Sequence, residues 1–424
     1  MCGAEFNGWR TYNEFNYHVD FCLLRQPKVP ELEPANCVKD QSLEEKLIWI
    51  QKSLEAMKVP WTEDCIRLVL SREELMEDSL ERLLLLDEED MHKEFQIGFT
   101  GETAQDAGGL MREWLNLLVL ELTAPENAFF QTTNTEKVSY MITQKPKEEF
   151  PRIYYLFGRI IAKAAFDGVA LYCPLAPVMY KYLLDLPVAL EDIHHLDTDL
   201  YNSLLFMQEN SVEGVFFESF VVEKTYKNQK FTKQLVRGGS SIPVTDQNKH
   251  KYISLRTKFE AKSSVKKALR QFKKGFTSVI PYDVISVLSE PELELFLCGC
   301  PFIDIGDWQE FTQYKGRFSK NHPVIQWFWQ ILENYSQKKL SLLLKFVTGT
   351  SRVPVQGFKE LKTLRGEPAL FTVESLDSEG LPRAHTCFNR LDLPLYQTKP
   401  QLKKALNYVI QHHSLGFGLK EVNN

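Results

Sequence analysis

Residues 312–323, TQYKGRFSKNHP, constrain this chain more than any other stretch. They are polar, they contain Gly316 and Pro323, and they follow a long run of helical patterning. Glycine and proline in a polar segment interrupt regular structure, so no single helical body runs through it. The 424 residues also exceed what one ordinary core organises. The expectation is an α+β chain in two units: a large, mainly helical one before the break and a small α/β one after it.

Local patterns fill in both units. Residues 1–40 are aromatic and then proline-rich, with Pro27, Pro30 and Pro34, and are expected to hold little regular structure. Ser42 and Glu45 form a capping box ahead of a stripe of Leu43, Leu47, Ile50, Leu54 and Met57. Ser71 and Glu74 predict a second box before Leu75, Leu80 and Leu83. Phe95, Ile97 and Phe99 alternate with polar residues, as in a half-buried strand. GETAQDAGG leads into the helix LMREWLNLLVLEL. IYYLFGRIIAKAAF predicts a longer helix, whose Gly158, Ala162 and Ala165 permit close approach of another element.

SFVVE and SIPVT, around Gly238 and Gly239, predict paired strands. Thr245 is expected to open a helix. Val265, Leu269, Phe272, Phe276 and Val279 form a further stripe that Pro281 closes. Beyond the break, VIQWFWQILENY and SQKKLSLLLKFV read as helices and ALFTVE as a strand. A last helix carries Thr398 and Gln401 as caps and Pro400 in its first turn.

Composition excludes several functions. At 44% hydrophobic and 25% charged the chain reads as globular. A net charge of −6 offers no basic surface for nucleic acid. Apolar runs such as Leu83 to Leu86 are too short for a membrane span, and the first residues lack a signal-peptide pattern. Eight scattered cysteines predict free thiols in a reducing compartment, hence a cytoplasmic chain, with the nucleus also open. Cys298-x-Cys300 has no neighbouring His or second Cys pair, so no metal site is expected; a helix end followed by a turn is. Neither a Gly-x-Ser-x-Gly elbow nor a phosphate-binding Gly-Lys loop is present, and nothing calls for a cofactor.

One segment carries chemistry. LPRAHTCFNRLDLPLY, residues 381–396, places His385 and Cys387 two apart between Pro382 and Pro394. The prolines argue for a shaped loop rather than a helix interior. Taken alone, Cys387 reads either as a structural thiol or as a nucleophile. A papain-like protease needs its His and Asn far downstream, whereas only His412 and His413 follow here. Thioester exchange suits a cysteine without a strong base. One thiolate replaces another of similar basicity, and positioning supplies most of the rate when an amine attacks next.

The segment closely resembles the active-cysteine stretch of HECT ubiquitin ligases, most of all the subgroup carrying WW domains. The resemblance continues, in the family order, through FTGETAQDAGGLMREW (99–114), FGRIIAKAAFDG (157–168), LYNSLLFMQEN (200–210), PELELFLCG (291–299), NHPVIQWFW (321–329) and LLKFVTGTSRVPVQGF (343–358). It covers roughly residues 65–419. It implies a bilobal fold: an N-lobe over 41–313 that binds a ubiquitin-conjugating enzyme, a flexible hinge at 314–320 around Gly316, and a C-lobe over 321–424. It further implies a transferase with Cys387 as thioester carrier for ubiquitin, delivering to a lysine of a protein substrate, and His385 and Thr386 as supporting residues. Leu204, Phe206, Phe216, Phe217 and Tyr252 match the conjugating-enzyme groove, and Phe417 matches a tail phenylalanine that aids transfer.

Two departures stand out. ENAFF (126–130) replaces a tyrosine-rich segment that in many relatives belongs to a non-covalent ubiquitin surface. Lys420 to Asn424 extend beyond the usual distance from the tail phenylalanine.

Overall fold

The computed structural model describes residues 34–102, 109–135, 139–144, 151–226, 229–363 and 367–413. Most of the proline-rich extension, Asp106 to Gly108 and Phe417 lie outside the described residues.

Helix α1 (Leu43–Glu55) starts where Ser42 caps it: Glu45 N–H donates to the Ser42 hydroxyl, and Ser42 N–H donates to the Glu45 carboxylate. Strand β1 (Cys65–Leu70), which the sequence patterns did not reveal, pairs in parallel with β2 (Glu94–Phe99) across α2 (Leu75–Leu85). Phe95, Ile97 and Phe99 are buried, as their alternation requires. The Ser71–Glu74 box does not form. Ser71 N–H donates to the Asp78 carboxylate at 2.6 Å and its hydroxyl accepts from Glu73 N–H, so α2 opens at Leu75 without it.

Next come α3 (Gly109–Leu122), β3 (Phe130–Thr132), β4 (Tyr140–Ile142) and α4 (Pro151–Phe166). In the ENAFF departure, Phe129 and Phe130 are core residues, and Phe130 packs on Phe157 with ring centroids 4.5 Å apart. The chain continues through α5 (Pro177–Leu183), α6 (Thr198–Glu209), β5 (Val221–Tyr226), β6 (Gln229–Gln234), α7 (Lys249–Ala261), α8 (Lys266–Thr277) and α9 (Glu290–Cys298).

Helices α4 and α8 meet backbone to backbone. A Cβ at Gly158 would overlap the Phe272 carbonyl, and one at Gly275 would overlap the Tyr155 carbonyl. The small residues seen in the sequence are what this approach needs. Val265, Leu269, Phe272, Phe276 and Val279 are all buried along the α8 stripe.

Two local expectations are corrected. The main partner of SFVVE is β6, in register from Val221↔Gln234; SIPVT meets only its start, with Phe220 N–H donating to the Ile242 carbonyl at 3.2 Å and Val244 N–H to the Glu218 carbonyl at 2.9 Å. SIPVT makes one isolated bridge, Ser219↔Pro243, and Pro243 has no N–H to extend a ladder. Regular helix α7 begins at Lys249 rather than at Thr245; Thr245 starts the turn that leads into it, its N–H bonded to the Asn248 side chain and its carbonyl accepting from Lys249 N–H, both at 2.9 Å.

The second unit contains α10 (Ile305–Glu310), β7 (Gln313–Lys315), α11 (Pro323–Leu332), α12 (Gln337–Thr348), β8 (Thr372–Leu376), β9 (Arg383–His385), β10 (Arg390–Pro394) and α13 (Lys399–His413). Its sheet has the order β7-β8-β10-β9; β8 is parallel to both β7 and β10, and β9 runs antiparallel to β10. Trp308, Phe328, Phe358, Phe371, Leu391 and Leu402 lie in its core. Among the described residues no helix is long and apolar enough to cross a membrane.

The cores change over between Cys298 and Ile303, upstream of the 312–323 segment. Residues 313–315 form an edge strand of the second sheet. Gly316 turns there with φ +68°, and Arg317 N–H donates to Ser375 Oγ at 2.8 Å. The physical reason is Trp308, fully buried against Phe358 and Phe371, which commits the chain to the second core before the polar segment begins.

Gly275→Ala should cost about 3 kcal/mol, because the added methyl forces α4 and α8 apart. Chemical denaturation read by circular dichroism checks this; a change under about 0.5 kcal/mol would remove the close-packing account.

Candidate active site

The reactive segment folds as a tight hairpin. β9 ends at His385, a single 3₁₀ turn spans Thr386–Phe388, and β10 starts at Arg390. Asn389 closes the turn in the left-handed region at φ 49°, a conformation that asparagine tolerates better than most side-chain-bearing residues. It is fully buried. Its side-chain amide donates to the Ala369 carbonyl at 2.8 Å, and its own carbonyl accepts from Thr372 N–H at 3.0 Å. The turn is thus tied to β8 as well as to its own strands.

Cys387 sits at the tip of this turn, half-buried, with exposed Phe388 beside it. It is a free thiol. His385 Nε2 lies 2.9 Å from Asp392 Oδ2 across the hairpin. Arg390 pairs with the same Asp392 and with Glu374, at 3.0 and 2.9 Å. The imidazole is therefore engaged by a carboxylate on the neighbouring strand, which fixes its orientation.

The hairpin does not stand alone. It rests on the start of α3 in the first unit. A Cβ at Gly109 would lie 2.5 Å from Thr386 Oγ1 and 3.3 Å from Cys387 Sγ, so only glycine leaves room for the turn. One helical turn on, the Arg112 guanidinium reaches across. Its Nη1 donates to the carbonyls of Thr348 and Thr386 at 2.6 and 3.1 Å and to Asn389 Oδ1 at 3.2 Å; its Nη2 donates to the Lys362 carbonyl at 2.9 Å. Asn116 adds a bond to the Gly349 carbonyl at 3.2 Å. Burial pulls the Arg112 pKa down to about 10, and the electrostatic influence of Cys387 acts in the opposite direction.

Of the residues singled out in sequence, Cys387, His385 and Thr386 come together here. Phe206, Phe216 and Phe217 gather elsewhere, near α6. Phe206 and Phe216 have ring centroids 6.0 Å apart, and Phe217 is 91% exposed. Leu204 and Tyr252 are instead core residues beneath them, only 2% and 1% exposed, with the Tyr252 hydroxyl bonded to Glu218. They support that surface and do not face a partner.

Sequence reasoning missed Gly109 and Arg112. One signal was available: Arg112, Leu115 and Val119 share a helical face, so a charge stood in an apolar stripe. Asn389→Ala should destabilise the second unit by about 2–3 kcal/mol, through a strained φ and lost buried bonds, while Asn389→Gly should cost less. Thermal melts of both variants, followed separately for each unit by hydrogen exchange, test this; equal losses would leave the left-handed turn without a role.

Comparison with known proteins agrees with the geometry. The HECT-domain (ubiquitin-transferase) family matches residues 116–420. The E3 ubiquitin-protein ligase Nedd-4 of Drosophila melanogaster is 38% identical over 347 residues, covering 81% of this chain and 34% of that protein. Smurf1 of the same fly is 35% identical over 382 residues, covering 88% of this chain and 36% of Smurf1. The ligase ptr1 of Schizosaccharomyces pombe is 34% identical over 400 residues, covering 93% of this chain and 12% of ptr1. The chain thus spans between 12% and 36% of the length of these relatives. With a family match over well more than half its residues, this chain belongs to the HECT-domain family.

Proposed function

We propose that the chain is the catalytic part of a ubiquitin ligase, with Cys387 as a temporary covalent carrier. In the first step the Cys387 thiolate attacks the carbonyl of ubiquitin held as a thioester on a conjugating enzyme. A new carbon–sulfur bond forms, and the donor cysteine leaves as its thiolate. In the second step a neutral lysine amine of a protein substrate attacks the same carbonyl, loses a proton, and displaces the Cys387 thiolate to give an isopeptide. Neither step needs a strong base or a cofactor, because thiolate replaces thiolate and then a better leaving group departs. The observation that carries the reading is the half-exposed thiol at the tip of a rigid hairpin, in a chain of this family. On this reading His385, two residues from the thiol in sequence and oriented by Asp392, assists proton movement at the site.

The exposed Phe217, with Phe206 and Phe216, is the surface assigned to the conjugating enzyme. Large apolar side chains that leave water on binding are what anchors such a partner. The same reading has the two units move relative to each other, since one sulfur must meet first a donor and then a lysine. The change of cores at 299–302 favours a pivot there over one at 314–320, where Gly316 and Arg317 are held on the second sheet. The six described cysteines are free, in keeping with a reducing, cytoplasmic setting.

The deciding experiment charges the chain with ubiquitin, activating and conjugating enzymes and ATP, then runs a gel without reductant. A thiol-labile adduct should form and vanish in Cys387→Ala; Cys387→Ser should give at most a thiol-resistant ester that does not turn over. An adduct that survives Cys387→Ala, or none with any conjugating enzyme, would overturn the reading. Phe217→Ala should slow charging about tenfold and leave discharge of a preformed adduct nearly unchanged.

A further inference from the structure

Arg112 is a residue of the first unit whose guanidinium bonds are made to the second. Four acceptors from three separate segments converge on it: Thr348 at the end of α12, Lys362 in the following loop, and Thr386 and Asn389 on either side of Cys387. Arg112 is only 7% exposed, and its Nε has no hydrogen-bond partner. Among the described residues no carboxylate pairs with it. Gly349, at φ +78°, leaves its side chain room: a Cβ there would lie 3.3 Å from two Arg112 carbons.

This is an expensive way to join two units. A guanidinium taken out of water loses its hydration, and neutral carbonyls restore less of it than a carboxylate would. Opening the junction rehydrates the charge. A cleft beside it, lined by Arg112, Thr348, Lys362 and Asn389 among others, already brings solvent near. The contact is well directed and joins two separate cores, which suits a catch between them.

The catch also covers the sulfur. With the hairpin seated, the backbone at Gly109 and the first turn of α3 occupy one side of Cys387 Sγ. A donor protein must bring a carbonyl carbon within about 3.5 Å of that sulfur. We propose that Arg112 is a positioning residue that latches the Cys387 hairpin onto the start of α3, holding the sulfur half shielded until the latch releases. The ligase reading enters only through the identity of the arriving protein; the latch rests on the contacts of Arg112 and Gly109.

The test compares alkylation of Cys387 in the full chain by iodoacetamide and by a maleimide bearing a long polyethylene glycol chain. Loss of the unmodified tryptic peptide 384–390 gives the rate at this one cysteine. Arg112→Ala should speed the bulky reagent about tenfold and the small one about twofold or less. Gly109→Val, which unseats the hairpin by filling the space taken by Thr386 and Cys387, should do the same, and Arg112→Lys should fall between Ala and the parent. If either Arg112→Ala or Gly109→Val keeps the parent ratio of bulky to small rates while melting normally, the latch is wrong. Should Arg112→Ala not fold, Gly109→Val decides alone. The outcomes separate from the ligase reading: a shifted ratio without any ubiquitin thioester keeps the latch and loses the ligase, and the reverse keeps the ligase and loses the latch.

Discussion

The candidate site depends on a turn that asparagine closes. Asn389 adopts a backbone conformation that costs most side chains free energy, and it recovers that cost through bonds to Ala369, Thr372 and Arg112. Without them the hairpin would have no reason to keep Cys387 at its tip. The sulfur is thus presented by β8 and β10 together rather than by a free loop. The His385–Asp392 contact adds a second tie across the same hairpin.

Buried cations bonded to backbone carbonyls recur through the fold. Arg159 on α4 donates to the carbonyls of Leu83 and Leu86, at the end of α2. Lys163, also on α4, bonds to the Lys93 carbonyl and to Asp167. Arg112 does for α12 what Arg159 does for α2: a positive charge meets the carbonyl end of a helix, where unpaired acceptors and the helix dipole favour it. The difference lies in what is joined. Arg159 and Lys163 bind elements within one core, while Arg112 spans two.

Much of this was legible in the chain. The Ser42 box, the alternating Phe95–Phe99 strand, the close approach at Gly158 of α4 and the α8 stripe each follow from short-range patterns, which tertiary contacts then reinforced. The failures share a cause. Ser71 was a local signal overridden by Asp78, and the SIPVT strand was cut short by the absent N–H of Pro243. The polar 312–323 segment looked like a boundary because its composition is that of a linker, yet Trp308 had already fixed the chain to the second core. For the candidate site, Cys387, His385 and Thr386 stand in one segment that sequence alone singles out. Gly109 and Arg112 could not be joined to it, because their partners stand more than two hundred residues away in sequence and meet only on folding.

The parallel pairing of β8 with β10 has a mechanical consequence. A loop could carry its reactive atom toward a distant target by flexing, but a hairpin bonded into a four-stranded sheet cannot. If that atom travels, the entire module must travel with it, like the tip of a stiff arm, and its aim is set by whatever seats the module.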